Sequence, residues 1–130
     1  MFNVNGKEWN IKFVNLFDDV LKRSDGSYTV GVTNYLTSTI YLENTLHGEF
    51  LKKVITHEVV HVYCMSFNIF MDIETEEVVA DFIATFGRDI IRISDYVFDL
   101  IRKISWKNFL KNFISPGAYV KIQDFDFSGF

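Results

Sequence analysis

Val54-Ile55-Thr56-His57-Glu58-Val59-Val60-His61-Val62 holds an H-E-x-x-H pattern inside an apolar run, and its reading decides the fold. On an α-helix, residues four apart lie one above the other on one face, so the two imidazoles reach toward the same point. Two histidines held this way can bind one Zn²⁺ at about 2.0–2.1 Å. Glu58 is set about 100° round the helix, where its carboxylate can reach a water in an open metal position. With 3 histidines in 130 residues, the pattern arises by chance in on the order of a few such chains per thousand. The competing reading is a core helix that merely carries two histidines.

Working outward, the motif helix is expected from near Gly48 to about Ser66, with Asn44 or Thr45 as its N-cap. Leu51, Val54, Ile55, Val59 and Val62 form its buried face, and Lys52 and Lys53 face water. Upstream, to about Asn44, the signals are those of strands. Phe2-Asn3-Val4 and Trp9 to Phe13 alternate in period two around Asn5-Gly6, a strong hairpin signal. Leu16 to Lys22 is compatible with a short helical turn. Asp25-Gly26 marks another turn, and Tyr28–Val32 and Ser38–Leu42 are β-rich runs. Together they predict a small, mostly antiparallel sheet of three or four strands.

Downstream, Asp72 can cap a helix from Glu74 to roughly Ile91, whose apolar positions are Val78, Val79, Phe82, Ile83 and Phe86. Ser94 or Asp95 is expected to start a third helix to about Ile114, stopped by Ser115-Pro116-Gly117. The tail, Ala118 to Phe130, is aromatic and acidic and is expected to dock on the rest, where it can restrict a cleft. The fold class is thus α+β: a sheet over residues 1–44, a helical part over 45–114 and a tail over 115–130, in one domain.

Composition narrows the function. A 48% hydrophobic and 17% aromatic content is ample for a packed core and argues against disorder. The net charge of −4 argues against a nucleic-acid partner. One cysteine, Cys64, cannot form an internal disulfide and fits a reducing compartment; it reads as a small buried residue, not a ligand. The segment Val54–Met71 is broken by His57, Glu58, His61 and Asn68, so no membrane span is expected. No basic region precedes an apolar stretch at Met1, so the expectation is a soluble, cytoplasmic protein.

A catalytic zinc takes three protein ligands and a water, so two histidines need completing. A third histidine six residues after the motif is excluded, because Phe67 stands there. The second helix offers Glu76-Glu77-Val78-Val79-Ala80-Asp81. Glu77 and Asp81 share a face, so Glu77 can bind the metal while Asp81 accepts the second N–H of a ligand histidine. Ala80 between them lets two helices approach closely. With the apolar stripe centred on Val78 and Phe82, Glu77 and Asp81 lie at its margin and Glu76 almost opposite, which predicts no role for Glu76.

H-E-V-V-H followed by E-E-V-V-A-D-F resembles the gluzincins, zincin metallopeptidases whose third ligand is a glutamate. The layout over roughly residues 28–90 (boundaries approximate) is most similar to the small ImmA/IrrE-like proteases, with minimal gluzincins and SprT-like proteins close by. The chain departs from the ImmA-like pattern at Val60, where Gly is usual, and at Phe86-Gly87-Arg88, where a Leu-Met-Pro-type run is usual. The resemblance implies a zincin-like domain and zinc-dependent hydrolysis of peptide bonds, with His57, His61 and Glu77 on the metal and Glu58 as general base. It also implies a peptide or protein substrate paired with an edge strand, expected to be the one at Ser38–Leu42. Tyr63, Tyr41, His47 and Arg88 are candidate donors to the developing oxyanion. A catalytically silent zinc module acting through protein–protein contact is the rival.

Overall fold

The computed structural model describes the backbone of residues 1–111 and the side chains of residues 1–107. Four strands come first: β1 (Phe2–Val4), β2 (Lys7–Val14), β3 (Gly31–Asn34) and β4 (Thr39–Glu43), with a 3-10 turn at Asp19–Leu21. Two helices follow, α1 (Gly48–Ser66) and α2 (Ile73–Lys111). The protein is therefore α+β.

Asn5 and Gly6 turn β1 into β2 with φ of 49° and 82°, the left-handed pair that a two-residue hairpin needs. The strand order is β1-β2-β4-β3. Its outer pairings, β1 with β2 and β3 with β4, are antiparallel, while β2 and β4 run parallel with Ile11 opposite Ile40. The sheet is thus mixed, not simply mostly antiparallel. The expected edge strand at Ser38–Leu42 is internal, because β2 and β3 flank β4 on both sides; the edge next to it is β3. The long connection from Asn15 to Val30 passes from β2 to that far edge, which a local pattern does not record.

One face of the sheet carries the core. Val4, Trp9, Ile40 and Leu42 pack with Val54 and Val62 of α1, and Leu51, Ile55 and Val59 close around them. The buried stripe of α1 is the expected one. Its cap is not: His47 occupies that position, and its side chain makes no capping hydrogen bond to the helix. Asn44 donates instead to Asn15, and Thr45 donates through its backbone N–H and its hydroxyl to the buried Glu43 carboxylate.

In α2, Asp72 does cap, accepting at 2.9 Å from the Thr75 N–H. No third helix begins at Ser94 or Asp95. The Ser94 hydroxyl donates back to the Ile91 carbonyl at 2.9 Å, so the expected cap is absorbed by a helix that continues through it. No Gly or Pro stands between Arg88 and Lys111 to stop it. The chain divides into two compact units, Met1–Arg88 and Asp89–Phe130. The stop at Ser115-Pro116-Gly117 and the docking of the tail from Ala118 lie outside the described residues. Among the described residues, no helix is long and apolar enough to cross a membrane.

Candidate metal centre

His57 and His61 project from successive turns of α1, and Glu77 meets them from the first turns of α2. One ligand atom from each lies within 4.8 Å of the other two. The two Nε2 atoms are 3.0 Å apart, and the Glu77 carboxylate straddles them at 3.1 Å from His57 and 3.2 Å from His61. These separations approach the edge of a tetrahedron about Zn²⁺, which is about 3.3 Å for ligands at 2.0 Å.

The rings are oriented from behind. His57 Nδ1 lies 2.8 Å from Asp81 Oδ1, and His61 Nδ1 lies 3.2 Å from Glu76 Oε1. With the proton on each Nδ1, where a carboxylate stands to accept it, each Nε2 turns a lone pair inward. In that tautomer two imidazole lone pairs and a carboxylate converge on one point. A divalent cation satisfies that donor set.

The role of Glu76 corrects the expectation. Its side chain is only 15% exposed and meets His61, although the apolar stripe of α2 placed it on the far side. That stripe does not face α1: Val78 is 68% and Phe82 52% exposed, whereas Ala80 is fully buried and Ala84 nearly so. The side toward α1 carries small residues and carboxylates, because only a short side chain lets the backbones approach closely enough for Glu77 to reach both imidazoles. Arg88 continues this side, donating to Thr56 at 2.7 Å.

Glu58 is 5% exposed. The Thr33 hydroxyl of β3 donates to its Oε2 at 2.7 Å. Burial pushes the Glu58 carboxyl above the usual carboxylate range, and the Thr33 hydrogen bond and the two histidines oppose that rise. Gly31 makes the contact possible. A Cβ there would stand 2.9 Å from Val54 Cγ1 and 3.0 Å from Glu58 Oε1. Neither Thr33 nor Gly31 was found from sequence, since both lie in a strand more than twenty residues from the motif.

Two hollows flank the triad. One, of about 260 Å³, runs toward Phe50 and Lys53; the other, of about 220 Å³, runs toward Met65 and Ile73. Arg23 lines both, from the connection between β2 and β3. The four candidate oxyanion donors line neither. Tyr63 stacks on Phe67, the Tyr41 hydroxyl donates to Thr37, His47 Nδ1 faces the Thr45 carbonyl, and Arg88 is held by Thr56. Cys64 is buried, and burial and the neighbouring Glu76 push its thiol up, so it stays a neutral thiol. No protein-family model, curated protein or solved structure matches this chain.

Proposed function

We propose that the chain is a zinc-dependent peptidase acting on extended polypeptide segments in a reducing, cytoplasmic compartment. One observation carries this reading: a buried carboxylate, Glu58, stands beside three converging metal donors on a cleft walled by a free strand edge. His57, His61 and Glu77 would hold the ion, with Asp81 and Glu76 fixing the two rings. Bound Zn²⁺ supplies a Lewis acid for the scissile carbonyl and lowers the pKa of its water toward neutrality.

The protein's own residues carry the remaining work. Glu58 Oε2 is engaged by Thr33, which leaves Oε1 to accept a proton from the attacking water and pass it to the leaving amine. The raised pKa of the carboxyl suits a group that must hold a proton briefly near neutral pH. β3 pairs with β4 on one side only, so its other edge offers backbone groups to a substrate strand. Gly31, Val32 and Thr33 on that edge line the same hollow as His57 and Glu58, which brings a peptide laid there against the donors. Arg23, above both hollows, is the cation best situated to face an oxyanion.

Metal analysis of the purified protein together with a peptide-library cleavage screen tests the reading. The expected result is about one zinc per chain, with cleavage lost in Glu58→Gln while zinc is kept. Stoichiometric zinc in both His57→Ala and His61→Ala would sink the metal site. Zinc with no cleavage of any peptide by the wild type would instead favour a silent binding module.

A further inference from the structure

The face of α1 that meets the cleft reads Phe50, Lys53, His57, His61 and Met65, in steps of three and four that keep one stripe of a helix together. The two histidines sit at its middle. On either side the stripe closes a different hollow: Phe50 and Lys53 line one, and Met65 lines the other with Ile73. Arg23 stands over both, so Lys53 is the cation that makes them unlike. All of these residues belong to the compact unit Met1–Arg88.

Three carboxylates share the Lys53 hollow, and each is already engaged. Glu77 meets both imidazoles, Asp81 stands against His57 Nδ1, and Glu58 accepts from Thr33. The two cations are not so taken. Among the described residues neither Lys53 nor Arg23 forms an ion pair, and Arg23 donates to the Thr29 hydroxyl at 3.4 Å. An unpaired ammonium on a cleft wall, one helical turn from the metal donors and beside an exposed aromatic ring, fits a ligand group with an apolar stem and a carboxylate end.

We propose that Lys53 selects an acidic side chain, glutamate before aspartate, for the substrate residue seated against Phe50, while Met65 and Ile73 take an apolar residue on the other side of the scissile bond. This rests on the peptidase reading and names the substrate class of the same cleft. Four residues of helix put Lys53 about 6 Å along the axis from His57, and an extended peptide advances about 3.4 Å per residue. The acidic residue therefore lies within about two positions of the bond to be cut. Thr29 and Val30, just before β3, line the Lys53 hollow, whereas Val32 and Thr33 line the other. A substrate strand antiparallel to β3 thus carries its acidic residue after that bond, and a parallel one before it.

Otherwise identical fluorescent peptides, with Glu, Gln or Lys moved through each position in turn, test this on full-length Glu58→Gln protein as purified, which binds peptide without cutting it. Anisotropy reads the affinity. The expected result is one position at which Glu binds about three- to tenfold tighter than Gln, and tighter still than Lys, with the advantage shrinking as salt is raised. Adding Lys53→Glu should reverse that order, and Lys53→Gln should level it. Lys52→Glu, next in sequence but outside the hollow, should leave it intact. In the wild type the preference should fall on KM with kcat little changed. Equal affinity for the three peptides, or binding of none of them, overturns the proposal. So does a Glu preference that survives Lys53→Glu or that Lys52→Glu removes as well. The peptidase reading fails separately: a Glu preference in binding, with no cleavage by the wild type, removes hydrolysis and keeps the acidic subsite. Cleavage indifferent to charge does the opposite.

Discussion

The Thr33 hydroxyl reaches across from the sheet edge to donate to Glu58 Oε2 at 2.7 Å, with the Glu58 main-chain carbonyl 3.0 Å away. This bond stabilises the ionised carboxylate against the burial that disfavours it. In Thr33→Val the carboxyl pKa should rise further. If Glu58 is the general base, the acid limb of the pH–rate profile moves to higher pH while zinc content is unchanged. A profile that stays in place would separate Thr33 from the chemistry.

The metal-free protein should show the cost of burying Glu58. Because its pKa is raised on folding, the folded state binds more protons than the unfolded state at pH values between the ordinary and the raised one. Stability therefore falls as pH rises through that window. Glu58→Gln does not titrate, so its stability relative to wild type should climb across the window and level off on either side. Urea unfolding at several pH values measures this. A constant difference between the two proteins contradicts it.

Asp81 and Glu76 should matter to the metal without touching it. Each fixes the tautomer and the rotation of one ring, and losing such a partner typically weakens metal binding about 10–100-fold. Asp81→Ala and Glu76→Ala are each expected to do so in a competition with a zinc chelator. Glu77→Ala should lose most of the zinc. Glu76→Ala at wild-type affinity would mean that His61 needs no partner.

Gly31→Ala should destabilise the fold by about 1–3 kcal/mol, the usual effect of forcing a methyl into packed space. The new atom would stand 2.9 Å from Val54 Cγ1 and 3.0 Å from Glu58 Oε1, so Glu58 must also shift. A lower denaturation midpoint at unchanged slope, with cleavage reduced, is the expected pair of results.

The convergence of His57, His61, Glu77 and Asp81 was legible because each pair is four apart on one helix, where geometry is local. Glu76 was not, because the large apolar residues of α2 point away from α1 and so misdirect a face drawn from hydrophobicity. Ala80 and Ala84 decide the inner side, and alanine weighs little in such an average. Likewise β4 reads as an edge only while its pairing with β2 is unknown, and a parallel register between strands so far apart leaves no mark on nearby residues. Ser94 could have begun a helix or ridden inside one; its bond to Ile91 follows from a helix already in place.

The order of strands also sets which parts of the sheet can open alone. β4 is held on both sides, and its parallel partner β2 is tied to it again beyond the strand ends, where Asn44 donates to Asn15. β3 is held on one side, at the rim of the cleft. Brief fraying can therefore release Val32 and Asn34 without loosening Ile40 or Leu42 from β2, and backbone amides should exchange with deuterated water faster in β3 than in β4. A peptide seated along β3 would slow that exchange at the rim alone, giving a record of occupancy that needs no cleavage to be seen.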